Sequence, residues 1–307
     1  MEYILQTKNV SKRYKSKWVL RDVNMNIQRG DVYGFVGENG SGKTTIIRLI
    51  TGLIFPNKGS FELFGKSNTS PEILEARAKI GAIVESPSIY LNMSARENLK
   101  MQCEILGIDD EQKIKDTLLE VGLFDLYNDP RKAGDFSLGM RQRLGIAMAL
   151  LGNVELLILD EPMNGLDPAG IVEVRELILR LNREKGITFL ISSHILTELS
   201  LVASRYGIIS HGNMIKEISS EELKNECRRS VSIDARDKKA LLVLLAKTIP
   251  IDDIMPTTNG AKIYGEFNLN DTLAAILESG NEILSINCSE SSIEEYYLSL
   301  TGGARHV

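Results

Sequence analysis

The chain has 307 residues, 43% hydrophobic and 25% charged, long enough for more than one domain and balanced like a soluble globular protein, which excludes disordered and fibrous classes. Its net charge of −5 provides no basic excess for neutralising phosphates, so no nucleic acid partner is expected. The longest run free of Lys, Arg, Asp and Glu, Gly186 to Thr197, falls well short of the ~20 apolar residues that cross a bilayer, and Met1 to Gln6 lack the basic start and apolar stretch of a secretory signal, so a cytoplasmic protein is expected.

Tyr3 to Leu5 and Val19 to Ile27 read as antiparallel strands at the start of the chain. Val32 to Val36, Ile80 to Val84, Leu156 to Leu159, Ile187 to Ile191 and Tyr206 to Ser210 are nearly continuous apolar runs, the pattern of buried, largely parallel strands. Residues 95–150 are rich in helical patterns and are expected to form a helical subdomain. The α/β domain is expected to span 1–220. From 221 to 307 the pattern changes to strand (Val231 to Ile233), helix (Lys238 to Lys247), strands near Ile251 to Ile254 and Lys262 to Tyr264, helix (Asp271 to Glu278) and strand (Ile283 to Ile286). That order is the split βαβ arrangement of a small ferredoxin-like α+β domain. Cys103, Cys227 and Cys288 lie far apart with no C-x-x-C pair, so neither a disulfide framework nor a zinc site is expected.

Between the third strand and the helix-compatible run from Thr45 to Leu53 stands Gly37-Glu38-Asn39-Gly40-Ser41-Gly42-Lys43-Thr44. This is G-x-x-x-x-G-K-[ST] in the strand-to-helix setting that a phosphate-binding loop requires. Its glycines let backbone N–H groups turn inward, and the helix N-terminus adds partial positive charge. Lys43 supplies a point charge for phosphates, and the Thr44 hydroxyl is a hard oxygen ligand suited to Mg²⁺. A glycine turn that happens to carry Lys-Thr is the plainer reading, and the loop alone says only nucleoside triphosphate binding. Asp160 and Glu161, ending the apolar run at Leu156, place two carboxylates at the ligand edge of the sheet. There Asp160 serves Mg²⁺ and Glu161 serves as general base toward an attacking water, although a strand ending in a solvated acidic turn is common.

Three further stretches keep company with these. Phe136-Ser137-Leu138-Gly139-Met140-Arg141-Gln142-Arg143 precedes the carboxylate strand, Asn164-Gly165-Leu166-Asp167-Pro168 follows it, and Ser192-Ser193-His194 ends the next apolar run. Together they resemble, over roughly residues 2–220, the signature stretch, D-loop and switch histidine of ABC ATPases. The resemblance implies a P-loop fold with an antiparallel β subdomain and a helical subdomain. It implies ATP with Mg²⁺ as ligands, Tyr14 stacked on adenine, and Gly37, Glu38, Asn39, Gly40, Ser41, Gly42, Lys43, Thr44 and Thr45 around the phosphates. Ser137 and Gly139 would serve the ATP of a second copy of the chain, so that a homodimer sandwiches two nucleotides. His194 would contact the γ-phosphate and orient the water and Glu161. Ser137 as a plain helix N-cap is a local role that coexists with the first.

Glu85 stands where this family usually has Gln, in the loop that senses Mg²⁺ while contacting a membrane subunit, and joins Thr44 and Asp160 as a metal-side residue. An ionised carboxylate there accepts hydrogen bonds but donates none. Glu85, with the F-S-L-G-M signature, resembles the exporters of bacitracin and lantibiotic self-protection, and the run Ile293 to Gly303 resembles their tail. That implies an ATP-hydrolysing subunit on the inner face of the cell membrane, bound to separate transmembrane permease subunits. A soluble ABC-type ATPase acting on ribosomes or DNA is the rival reading; such proteins carry paired ATPase domains or a long coiled coil, and this sequence has one phosphate loop and no heptad array.

Overall fold

In the computed structural model, which describes residues 2–227, 229–264, 267–290 and 293–301, the opening runs pair as two long strands, β1 (Tyr3–Tyr14) and β2 (Lys17–Gln28). Leu5 lies opposite Ile27 on one side and Leu63 on the other, and Thr7 lies opposite Met25 and Phe61. Phe61 and Leu63 belong to β4 (Lys58–Leu63), which turns into the short β5 (Lys66–Ser67). This antiparallel sheet runs β2-β1-β4-β5; its third and fourth strands escaped the sequence reading because β4 has only Phe61 and Leu63 buried, too brief an alternation to stand out.

The expected apolar runs form β3 (Val32–Val36), β6 (Ile80–Ile83), β7 (Leu156–Asp160), β8 (Thr188–Ser193) and β9 (Arg205–Ser210). With β10 (Asn213–Ser219) they make a sheet ordered β10-β9-β3-β8-β7-β6. All neighbours are parallel except the β9–β10 hairpin. Every residue of β3, β7 and β8 is buried, which is why their sequences show no polar alternation.

Helix α1 (Lys43–Thr51) packs against both sheets, touching β2 and β7. Ile46, Ile47, Leu49 and Ile50 are at most 1% exposed and join Val23, Met25, Phe35, Phe61, Ile158 and Leu190 in one core. Each such aliphatic side chain contributes about 1.5–3 kcal/mol relative to exposure, so α1 and the loop before it are rigidly seated. The helical region holds α2 (Ile73–Arg77), α3 (Ala95–Leu106), α4 (Glu111–Glu120) and α5 (Leu138–Leu150). A capping box starts α3: Ser94 Oγ accepts from Glu97 N at 3.2 Å while the Glu97 carboxylate accepts from Ser94 N at 2.6 Å. These bonds, with that from Lys132, hold the Glu97 carboxyl down at about 2. Beyond lie α6 (Pro168–Lys185) and α7 (Leu196–Ser200).

Tyr33, fully buried on β3, donates to Glu217 Oε1 on β10 at 2.8 Å. The same carboxylate accepts from Asn26 N at 2.7 Å and Asn26 Nδ2 at 3.0 Å on β2, so it ties the two sheets. Burial, with the Glu217 charge behind it, pushes the Tyr33 phenol well up, so it stays the donor. Gly207 leaves room for that phenol, since a Cβ there would stand 2.2 Å from Tyr33 Oη. Gly207→Ala is therefore expected to destabilise the protein by about 1–3 kcal/mol. Urea unfolding checks this; an unchanged midpoint would mean that Tyr33 can step aside.

The chain divides into two compact units, Met1–Ser220 and Glu221–Val307. After α8 (Ser220–Glu226) the second unit runs β11 (Arg229–Ala235), α9 (Lys238–Thr248), β12 (Ile254–Pro256), β13 (Gly260–Tyr264), α10 (Leu269–Glu278), β14 (Ile283–Glu290) and α11 (Ile293–Thr301). Its sheet is ordered β12-β13-β11-β14 with every neighbouring pair antiparallel. That is the ferredoxin-like arrangement, closed by Leu241, Leu245 and Ile276 from α9 and α10 over Val231, Ile233, Ala261 and Ile263. The strand expected near Ile251 begins later: Pro250 opens a 3₁₀ turn over Ile251–Asp253, and pairing starts at Ile254. Of the tail run, Gly302 and Gly303 lie outside the described residues.

Candidate active site

Three neighbouring parallel strands deliver the site to one edge. Val36 lies in register with Ser193, and Asp160 with Ser192, so the loops that leave β3, β7 and β8 meet at the carboxyl end of the sheet, where α/β sheets bind ligands. The loop after β3 is the expected phosphate loop. Glu38, Asn39 and Gly40 form its exposed tip, Gly37, Ser41, Gly42 and Lys43 are buried, and Thr44 and Thr45 are half-buried. Gly42, with φ 115°, occupies the N-cap of α1, and a Cβ there would meet Leu20 Cδ2 at 2.6 Å. Only glycine meets both demands. No side chain caps α1 and its first turn has no acidic residue, so its N-terminal N–H groups remain available for an anion. Ser41 Oγ, buried inside the loop, has no hydrogen-bond partner among the described residues.

Lys43, only 5% exposed, places Nζ 2.6 Å from Gly37 O, 3.3 Å from Glu38 O and 3.1 Å from Glu161 Oε1. Thr44 Oγ1 donates to Asp160 Oδ2 at 2.8 Å. These are two hard oxygens close together, a donor pair that fits Mg²⁺ completed by phosphate oxygens and water. Among the described residues no group of three or more His, Cys, Asp or Glu could hold a metal, so such a pair needs the phosphates to complete it.

Asp160 and Glu161 would point to opposite faces if the strand continued. Instead Glu161 adopts φ 51°, the left-handed region that a non-glycine residue enters only when held there. Ser192 holds it: its hydroxyl donates to Asp160 Oδ1 and accepts from Glu161 N at 3.0 Å, while Ser192 O accepts from the same N–H at 3.1 Å. The turn aims Glu161 back at the phosphate loop. Its other oxygen, Oε2, lies 2.7 Å from His194 Nδ1 and 3.4 Å from His194 N. Lys43 and His194 thus hold the two oxygens of one carboxylate. Ser192 was visible as part of the Ser-Ser-His run, but its role as pivot was not.

Glu198 was missed altogether. It lines a small cavity with Glu161, Asn164 and His194, where burial pushes its carboxyl up, His194 opposes that shift and Glu161 adds to it. Its place four residues after His194 in the sequence was the available signal.

The remaining expected residues lie apart from this cluster. Ser137 caps α5 by accepting from Met140 N at 3.1 Å, and α5 also has no acidic residue in its first turn. A Cβ at Gly139 would stand 3.6 Å from Gly170 Cα, and the neighbouring Leu138 reaches Gly165 in the turn before α6, where Asp167 is the N-cap. Among the described residues neither Ser137 nor Gly139 hydrogen-bonds to residues 37–45. Tyr14 ends β1, 42% exposed as a residue, with Lys12 Nζ 5.4 Å from its ring centroid. The nearby Trp18 is engaged by both Arg13 and Lys58. Glu85 does not touch Thr44 or Asp160; its Oε1 lies 2.5 Å from Arg48 Nη2 on α1.

A parallel sheet that gathers a glycine-rich loop, a buried Lys, a Thr–Asp pair and a re-aimed Glu at its carboxyl edge defines a P-loop nucleoside triphosphatase. The profile of the ABC transporter family matches residues 20–164, and the bacitracin transport ATP-binding protein BcrA of Bacillus licheniformis is 42% identical over 99% of both chains. This chain belongs to the ABC transporter ATP-binding proteins, which bind and hydrolyse ATP. The lantibiotic transport ATP-binding protein SrtF of Streptococcus pyogenes is 44% identical over 70% of this chain and 90% of its own. Among solved structures, cbiO1 of Clostridium perfringens, part of the ABC transporter complex cbiONQ, matches with a TM-score of 0.66 at 28% identity over 74% of this chain and 92% of that one. The ATP-binding cassette MJ0796, a dimer bound to ADP and phosphate after hydrolysis, matches with a TM-score of 0.63 at 25% identity over 70% of this chain and 98% of that one.

Proposed function

We propose that two copies of this chain bind ATP with Mg²⁺ between them and hydrolyse it to drive a separate membrane permease that exports bacitracin-like or lantibiotic-like peptides. The observation that carries the substrate class is similarity along the whole chain. The match to the bacitracin protein spans 99% of both sequences and so includes the second unit, whereas the match to the lantibiotic protein spans 70% of this chain. No helix among the described residues is long and apolar enough to cross a membrane, and attachment to the inner membrane face is assigned to the permease. The expression partner that copurifies in mild detergent tests this reading. An integral membrane protein whose deletion sensitises cells to bacitracin supports it; sedimentation with ribosomes or DNA overturns it.

Each side chain then has a task. Lys43 and the N–H groups at the start of α1 hold the phosphates, and Tyr14 offers its exposed ring to the base. Thr44 and Asp160 would hold Mg²⁺, which supplies neutralisation of phosphate charge. Glu161 takes the proton from the attacking water, and His194 fixes the carboxylate that does so. Ser137 and Gly139, which among the described residues make no hydrogen bond to residues 37–45, serve the site of the other copy, which makes dimerisation part of catalysis. Glu85, paired with Arg48 rather than with Thr44 or Asp160, is left to the contact with the permease. His194→Ala is expected to bind ATP normally and hydrolyse it about a hundredfold more slowly, the scale of effect when a reacting group is misplaced. Steady-state phosphate release checks it, and unchanged turnover would remove His194 from the mechanism.

A further inference from the structure

Helix α1 carries a second charged contact beyond its phosphate-binding end. On the next turn after Thr44, Arg48 reaches out to Glu85, with Nη2 2.5 Å from Oε1. Glu85 is the residue that follows β6 and its neighbour Val84. Its φ is 67°, and Ser86 N donates to Val84 O at 2.8 Å across it, which is the strained form of the γ-turn. Among the described residues, Glu85 makes no other hydrogen bond or ion pair. The residues on either side, Val84, Ser86, Pro87 and Ser88, form one wall of a groove whose other walls include Gln102 on α3 and Met148 on α5.

We propose that Arg48 is a positioning residue: its ion pair holds the Glu85 turn in place and so couples the phosphate-binding helix to the wall of this groove. The inference rests on the reading of residues 37–45 as the ATP site. A carboxylate at position 85 accepts only, and a guanidinium donates only, so the pair is complementary in a way that Gln, with its own donor, would not require. The side chains are 38% and 62% exposed, which makes the contact weak, while a positive φ at Glu carries strain. A weak contact that restrains a strained turn gives the loop a second accessible position. Because Arg48 lies one turn beyond Thr44 on the same seated helix, nucleotide held at the start of α1 acts on the guanidinium and, through Glu85, on the groove wall.

Amide hydrogen exchange at residues 84–89 tests this in the full chain, without nucleotide and with Mg²⁺ and a non-hydrolysable ATP analogue. Arg48→Ala is expected to speed exchange of the Ser86 amide about threefold without nucleotide, the scale of an exposed ion pair, and to abolish the change that the analogue causes there. In a Glu85→Gln background Arg48→Ala should add nothing, and Arg48→Lys should restore part of the protection. Equal effects of Arg48→Ala in both backgrounds, or none at Ser86, overturn the proposal. Calorimetric titration of the analogue separates the two readings: wild-type protein that takes up no analogue refutes the ATP site, whereas uptake without any response at Ser86 refutes the coupling.

Discussion

Glu161→Gln lowers ATP turnover by about a thousandfold, within the range for loss of a general base, while ATP binding stays within about threefold of wild type. Gln occupies the same space, so the left-handed turn at residue 161 and its support from Ser192 survive. Its carbonyl can still accept from Lys43, now without charge, which accounts for the small change in binding. What it cannot do is take a proton from water. The variant is therefore expected to stall with nucleotide bound and, on the proposed sandwich of two ATP between two copies, to accumulate as a dimer in size-exclusion chromatography with Mg²⁺ and ATP. Phosphate release and column mobility measure the two effects independently. A loss of turnover below tenfold would assign the base elsewhere, and Glu198, in the same cavity with its carboxyl pushed up, would be the first residue to examine.

The parts of this site that were legible in the sequence are those fixed by short-range rules. A buried strand, a glycine turn and a helix start follow one another within a few residues, so the phosphate loop could be read directly. Asp160 likewise follows from its strand. The parts that were not legible depend on neighbours brought together by the parallel sheet. Ser192 and Asp160 belong to different strands, and nothing local to either says that one hydroxyl will hold both Asp160 and Glu161 N. Arg48 looks like any basic residue near a helix C-terminus until β6 places Glu85 beside it. The same distinction applies to the fold: the buried strands were recognisable by their unbroken apolar runs, whereas β4, with two buried residues, gained its place only by pairing with β1.

Lys43→Ala has the opposite signature: ATP affinity falls about a hundredfold, because hydrogen bonds to charged groups are worth about 1.5–3 kcal/mol each. Lys43 is buried and its ammonium is held by Gly37 O and Glu38 O at one side of the loop, so the charge is already placed where phosphates would meet it. Alanine removes that charge and leaves Glu161 with the His194 ring as its remaining side-chain partner among the described residues, which adds an unbalanced carboxylate beside the expected position of the phosphates. Both effects oppose an anion. Arginine is not a substitute, since a planar fork cannot replace an ammonium in a position only 5% exposed. Titration with a fluorescent ATP analogue, with and without Mg²⁺, checks the affinity, and urea unfolding confirms that the variant is folded. Affinity within about threefold of wild type would overturn the assignment of Lys43. Because Lys43→Ala fails at binding and Glu161→Gln fails after it, only Glu161→Gln should dimerise with ATP; dimerisation of both would mean that the phosphate loop does not control closure.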